Sequence, residues 1–171
     1  MADTEFHVRQ STEVAAHPDR VWDALVDDTA AWWGAPYLLL DGPSAVQLPL
    51  RAGQPVVERL GDATALWGAV TICVPGRVYA WRGQMGMGPG WEGEVRFDVE
   101  PARTGTRVSV RHDSARLWGD GDAAAMRRSY DFGWADLLAR LRLLVETGAR
   151  HGSAGLDAAP EFAFEASIDP S

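Results

Sequence analysis

The chain reads as an α+β protein in which a curved antiparallel sheet wraps around a long C-terminal helix. Three observations predict this. Trp91 to Glu100 alternates apolar and polar residues, Thr106 to His112 alternates again after a short turn, and Ala123 to Thr147 carries apolar residues at helical spacing. A bent sheet closed by one helix leaves a hollow between them, and eight tryptophans are available to line it. The 171 residues suffice for one domain, expected over 1–148, with a tail over 149–171.

The two strands can be read residue by residue. Trp91, Gly93, Val95, Phe97 and Val99 share one face, while Glu92, Glu94, Arg96, Asp98 and Glu100 share the other. Period-two alternation means one buried face and one wet face. A four-residue loop over 101–104, with Gly105 at its exit, sets Glu100 opposite Gly105. That register places Asp98 against Arg107 and Glu94 against Arg111, pairs worth about 0.2–1 kcal/mol each. Inside, it places Phe97 against Val108, Val95 against Val110, and Gly93 against His112. A one-residue slip would bury the charges. His112 therefore points inward.

The other elements follow in order. Residues 5–15, with Phe6, Val8 and Val14, suit a first strand. Pro18 fits the first turn of a helix, where its missing N–H costs nothing. Val21, Ala24 and Leu25 form that helix's apolar stripe, flanked by Trp22, and Asp27-Asp28 end it. Asp28 stands where it can cap a short helix from Thr29 to Trp33, stopped by Gly34. Pro43, Pro49 and Pro55 interrupt strand-like runs over 37–60, so edges and bulges are expected. A hairpin, Ala63 to Val74 and Arg77 to Gly83, turns at Pro75-Gly76. Both of its faces carry large apolar residues, so its inward face stays open, and with it the facing of Glu58, Arg59 and Arg82. Residues 83–90 form a glycine- and methionine-rich connection in which Met85 and Met87 are either a ligand lid or ordinary loop. The last helix carries Tyr130, Trp134, Leu137, Leu138, Leu141, Leu144 and Val145, and Gly148 stops it. In the tail, Phe162, Phe164, Ala166 and Ile168 alternate, consistent with an edge strand, a groove plug, or disorder.

Composition excludes several functions. The net charge of −8 disfavours nucleic acid and anionic membrane as partners. All sixteen positive charges are arginines, so lysine Schiff-base chemistry is ruled out. Met1-Ala-Asp-Thr-Glu-Phe6 has no apolar signal core and no run of eighteen apolar residues occurs, so a cytoplasmic protein is expected. Cys73 is the single cysteine, which leaves no internal disulfide; its apolar flanks suggest a buried thiol. His7, His17, His112 and His151 have no i, i+4 partner, so no metal and no cofactor are expected. Gly88-Pro-Gly90-Trp-Glu-Gly93 matches the dinucleotide fingerprint by letter but leads into a strand rather than a helix. No Gly-x-Ser-x-Gly elbow is present.

The order of short helices ending in Trp32-Trp33-Gly34, Trp67-Gly68-Ala-Val, Val74-Pro-Gly-Arg77, Gly105-Thr-Arg-Val, His112 and Gly133-Trp134 resembles the SRPBCC superfamily. Within it, the likeness is strongest to the branch of the activator of the ninety-kilodalton heat-shock protein's ATPase. The resemblance covers residues 5–148. It implies a helix-grip fold: a seven-stranded antiparallel sheet, two short helices, and a long C-terminal helix enclosing a cavity. It further implies apolar small-molecule binding, with polyketide cyclisation or dehydration in some relatives.

On that basis Trp33, Trp67, Trp81, Met85, Trp91, Val95, Phe97, Val110, His112, Tyr130, Trp134, Leu138 and Leu141 are the candidate ligand-contacting residues. The aromatic members equally suit plain core packing. His112 is either a core histidine bonded to its neighbours or a polar contact, even an acid/base, for the ligand. Three functions remain: a binder of a small hydrophobic or aromatic molecule, a cyclase/dehydratase in the same cavity, and a co-chaperone-like interaction module. The first asks for nothing the residues fail to provide. A homodimer is compatible with all three.

Overall fold

The computed structural model describes residues 3–153. Phe162, Phe164, Ala166 and Ile168 lie outside them. The elements are β1 (Glu5–Val14), α1 (Pro18–Val26), α2 (Thr29–Trp32), β2 (Ala45–Gln47), β3 (Pro55–Leu60), β4 (Ala63–Val74), β5 (Val78–Gly83), β6 (Trp91–Ala102), β7 (Gly105–Arg116) and α3 (Ala123–Thr147). The sheet is antiparallel with strand order β1-β7-β6-β5-β4-β3-β2. α3 lies against its concave face. The α+β class, the seven strands and the long terminal helix are as the sequence led one to expect.

The inward set of the central strands is also as expected. Trp91, Val95, Phe97, Val99, Val108, Val110 and His112 are all buried. The register differs by two residues. Glu100 pairs with Arg107, Phe97 with Val110, Val95 with His112, and Gly93 with Ser114, because Ala102 pairs with Gly105 and only Arg103-Thr104 forms the turn. Both strands run on to the turn, and Gly105 at its exit takes a φ of 149°, which favours glycine. A shift of two keeps every side chain on its face but changes its neighbours. The expected pairs Asp98–Arg107 and Glu94–Arg111 are therefore replaced. Asp98 takes Arg96 at 2.7 Å and Arg111 at 3.7 Å, while Arg107 reaches Glu13 at 2.9 Å. Glu94 faces Asp113, whose charge is met by Arg9 at 2.6 Å and His7 at 2.8 Å. These partners hold the Asp113 carboxyl below its ordinary range, against a desolvation that alone would raise it.

At Gly93, a Cβ would stand 1.9 Å from Ser114 Oγ. The space this glycine leaves is taken by Ser114, not by His112. In β4 two register shifts, one at Trp67 opposite Val56 and Val57 and one between Val70 and Ile72, decide the open question of facing. Trp67, Val70, Tyr79 and Trp81 turn inward, while Leu66, Ile72 and Val74 are exposed. The same rule splits the undecided charges: Glu58 is fully buried, whereas Arg82 pairs outside with Glu92 at 2.6 Å and Arg59 bonds Gln47. Cys73 is half-buried rather than enclosed, and its partial burial raises the thiol pKa.

Pro18 opens α1, but the cap is His17, whose ring accepts the Asp19 N–H. Asp28 occupies the cap position of α2 without a side-chain bond to it; its carboxylate lies 3.9 Å from Arg20 instead. α3 buries Trp134, Leu137, Leu138, Leu141 and Leu144 and ends at Gly148, whose φ of 77° favours glycine. Beyond it the backbone returns to α2, where the His151 and Gly152 amides both donate to Ala31 O. Among the described residues no helix is long and apolar enough to cross a membrane.

Candidate functional site

Two aromatic assemblies lie under α3. The inner one is filled. Trp32, Trp81, Phe97 and Trp134 contact one another edge-on or tilted, with ring centroids 5.6–6.4 Å apart. Beside them His112 sits against Phe6 at 5.2 Å and Tyr130 at 4.6 Å. Trp134 Nε1–H donates to His112 Nδ1 at 3.1 Å, so the neutral ring keeps its proton on Nε2 and donates to Ser114 Oγ at 2.9 Å. Burial pushes the imidazole pKa down to about 4, against a small opposing pull from Asp113. Both ring nitrogens are occupied and the side chain has no exposure. This is the geometry of a satisfied core histidine.

The outer assembly is hollow. A pocket of about 300 Å³ opens where the first half of α3 faces two irregular segments. α3 contributes Met126, Ser129, Tyr130, Gly133, Trp134 and Leu137. Trp33 at the end of α2, the strap Pro36–Leu39, Trp67 of β4 and the connection Met85–Met87 complete the wall. Trp33 meets Trp67 edge-on at 5.1 Å and Trp134 at 5.5 Å.

The irregular walls are tied down. Trp33 Nε1–H donates to Tyr37 O at 2.8 Å, and the Tyr37 hydroxyl donates to Asp136 at 2.8 Å. Arg140 pairs with Asp136 at 3.1 Å and lies 5.2 Å above the Tyr37 ring. Burial first, then the bond to Asp136, pushes the Tyr37 pKa up to about 12. Further along the strap, the Leu39 and Leu40 amides donate to Glu58 at 2.8 and 2.9 Å. The Ser44 hydroxyl and Trp67 Nε1–H donate to the same carboxyl group. Met85, expected either in a ligand lid or in an ordinary exposed loop, is instead buried and clamped. Its sulfur accepts from Trp81 Nε1 at 2.9 Å, its amide donates to Trp67 O at 3.4 Å, and its carbonyl accepts the Tyr130 hydroxyl. Tyr130 is likewise raised by burial to about 12. Both phenols are neutral near pH 7.

Of the sequence-derived candidates, Trp33, Trp67, Met85, Tyr130 and Trp134 come together on this pocket. Trp81, Trp91, Val95, Phe97, Val110, His112, Leu138 and Leu141 are buried in the packed interior and do not line it. Sequence reasoning missed the strap and Met126, and it left the facing of Glu58 open. Met126 stands one turn before Tyr130 on the helical stripe, so extending the period would have found it. The strap has no period and gave no such signal. Among the described residues no three His, Cys, Asp or Glu side chains gather as a metal site.

The family described as polyketide cyclase/dehydrase and lipid transport matches residues 5–142. No curated protein matches the chain. Among solved structures, DynU16, from the dynemicin biosynthetic locus, is 24% identical with a TM-score of 0.64, covering 86% of this chain but 49% of its own. The Bacillus halodurans protein BH1534 is 21% identical, with a TM-score of 0.60 and coverage of 84% and 100% respectively. The Aha1 dimer from Colwellia psychrerythraea is 18% identical at TM-score 0.56, with coverage of 84% and 98%. At these identities the structures share the fold, the open sheet closed by a long C-terminal helix. The chain belongs to the polyketide cyclase/dehydrase and lipid transport family, inside the SRPBCC superfamily that its residue order resembles.

Proposed function

We propose that this protein binds an uncharged, apolar small molecule, preferably aromatic, in the pocket at the front of α3. The wall chemistry carries the reading. Three indoles (Trp33, Trp67, Trp134), two phenols (Tyr37, Tyr130) and three thioethers (Met85, Met87, Met126) enclose about 300 Å³. That volume is at the small end for a ligand site, and such walls bind by contact area and π-face rather than by charge. The net charge of −8 and, among the described residues, the lack of a helix able to cross a membrane support a cytoplasmic location and a free small molecule as partner.

A cyclase or dehydratase in the same pocket is the second reading, favoured by the family description. Such chemistry needs an acid and a base facing the substrate. The only titratable side chains in the wall are the two phenols, and both hydroxyls are already donated, to Asp136 and to Met85 O. Binding without turnover fits this wall better.

The experiment is native mass spectrometry of the protein purified from its own host, followed by tryptophan quenching against neutral aromatic compounds. We expect a retained small molecule or saturable quenching, with the compound recovered unchanged. Consumption of the compound would transfer the case to the enzyme reading. No saturation by any compound would end the ligand reading. The same spectra report whether the chain is a dimer, as the Colwellia structure is.

A further inference from the structure

Glu58 is the one acidic side chain among the described residues that is wholly shut away from solvent. Its two oxygens receive four neutral donors. Leu39 N–H at 2.8 Å and Trp67 Nε1–H at 3.1 Å reach Oε2; Leu40 N–H at 2.9 Å and the Ser44 hydroxyl reach Oε1. Glu58 pairs across the sheet with Val46 and Ala65, so an apolar side chain would suit its place in β3. Burying a carboxyl group there costs stability that an apolar residue would not. The return is geometric. Leu39 and Trp67 belong to different walls of the pocket, an irregular strap and a strand, and one group holds both. Leu39 in turn lies over Gly86, where a Cβ would stand 2.4 Å from its Cδ2, so fixing Leu39 also fixes the strap against the 85–87 connection.

We propose that Glu58 is the positioning residue of the pocket, holding the Trp67 indole and the end of the strap at Leu39 and Leu40 at one spacing so that the pocket selects flat rings over bulky ones. This rests on the ligand reading above. The selection follows from rigidity. An indole held by its N–H, with Trp33 edge-on to it, cannot swing aside for a thick ligand, whereas free walls accept any shape that fills the volume. Glutamine is the informative replacement. It keeps the shape but sets an NH₂ group against one of the two donor pairs, so either the Leu39–Trp67 side or the Leu40–Ser44 side loses its acceptor.

The test compares wild-type protein and Glu58→Gln, full length and ¹⁵N-labelled. Without ligand, the Trp67 indole resonance (assigned with Trp67→Phe) and the Leu39 and Leu40 amide exchange rates are read first. In Glu58→Gln either the Trp67 and Leu39 signals or the Leu40 signal should change while the Trp22 and Trp32 indoles stay in place; general destabilisation would move all of them. Affinities for two neutral probes, flat anthraquinone and globular 1-adamantanol, are then measured. Wild-type protein should prefer anthraquinone by at least about ten-fold, and Glu58→Gln should reduce that ratio to about two-fold or less. An unchanged ratio in folded Glu58→Gln overturns the proposal. If Glu58→Gln does not fold, Ser44→Ala, which removes one strap donor, should lower the ratio partway, and no change there overturns it equally. Should neither probe bind wild-type protein while Glu58→Gln still releases one side, Trp67 with Leu39 or Leu40, the ligand reading fails and the positioning of the walls stands. Should none of the three move, the positioning claim fails.

Discussion

The packed interior and the pocket mouth use the same residue types on the same concave sheet, yet only the mouth leaves room for a guest. In the interior, rings from β5, β6 and β7 meet the α3 stripe. Two periodic surfaces interdigitate, ring against ring. At the mouth, the same helix meets the strap and the 85–87 connection, which have no period and cannot mesh with it. Their position is set in good part by hydrogen bonds, accepted by Glu58 and Asp136 and donated by Trp33 and Tyr130, and not by meshing of periodic surfaces alone. The comparison teaches that the aromatic count did not make the hollow. An irregular wall opposite a regular helix made it.

If this division is right, damage to the interior should cost stability and spare binding, and damage to the mouth should do the reverse. The largest effect is expected from His112→Ala. It deletes a buried ring, orphans the Trp134 N–H, and should cost about 3 kcal/mol or more in urea unfolding. Ligand affinity in the folded fraction should fall by less free energy than stability does, since His112 does not line the pocket and reaches it only through Trp134 and Tyr130. A greater loss of binding than of stability would break the division.

Acid should act on the same residue. Burial holds the folded-state pKa of His112 at about 4, below the value of 6.5 for an unburied ring. Between those values the unfolded chain binds the proton and the folded chain refuses it. The contribution of His112 is therefore full above about pH 6.5 and is lost as pH falls toward 4, by about 3 kcal/mol. Denaturation curves at pH 7 and pH 4.5 should show a steeper loss for wild type than for His112→Gln. Parallel losses in the two proteins would mean that the ring is not held neutral.

Gly93→Ala should cost about 1–3 kcal/mol, because its Cβ would collide with Ser114 Oγ and Asp113 O. Thermal unfolding measures it, and a neutral result would contradict the two-residue register shift. The smallest effect on stability should come from the mouth. Ser129→Phe, on an exposed position of the pocket wall, should change stability by no more than about 0.5 kcal/mol and still weaken ligand binding at least ten-fold. Phe132→Ser, three residues on and 71% exposed, should alter neither and serves as the control.

How much of this was legible in the sequence depends on periodicity. Alternation from Trp91 to Glu100 and from Thr106 to His112 disclosed the inward faces, and the helical stripe disclosed α3. The pairing register was out of reach because a shift of two leaves the alternation unchanged; only the turn length separates the two, and 101–105 suits either. The β4–β5 facing was hidden by the irregularities at Trp67 and near Thr71, which reverse the alternation along β4. Trp33, Trp67, Met85, Tyr130 and Trp134 were named for the site because the aromatic set and the resemblance pointed to them. Trp81, Phe97 and His112 were named on the same grounds and belong to the core. Inward direction alone does not tell a residue that borders a void from one that fills it. Tyr37, Leu39 and Glu58 act through hydrogen bonds between segments far apart in the chain, which leave no local pattern.

The most direct measurement is a titration of ¹⁵N-labelled protein with anthraquinone, following the indole N–H resonances. The account predicts saturable shifts at Trp33, Trp67 and Trp134, with Trp22 and Trp32 unmoved and every shift abolished in Ser129→Phe. Shifts centred on Trp32 and the buried interior, or shifts that persist unchanged in Ser129→Phe, would contradict it.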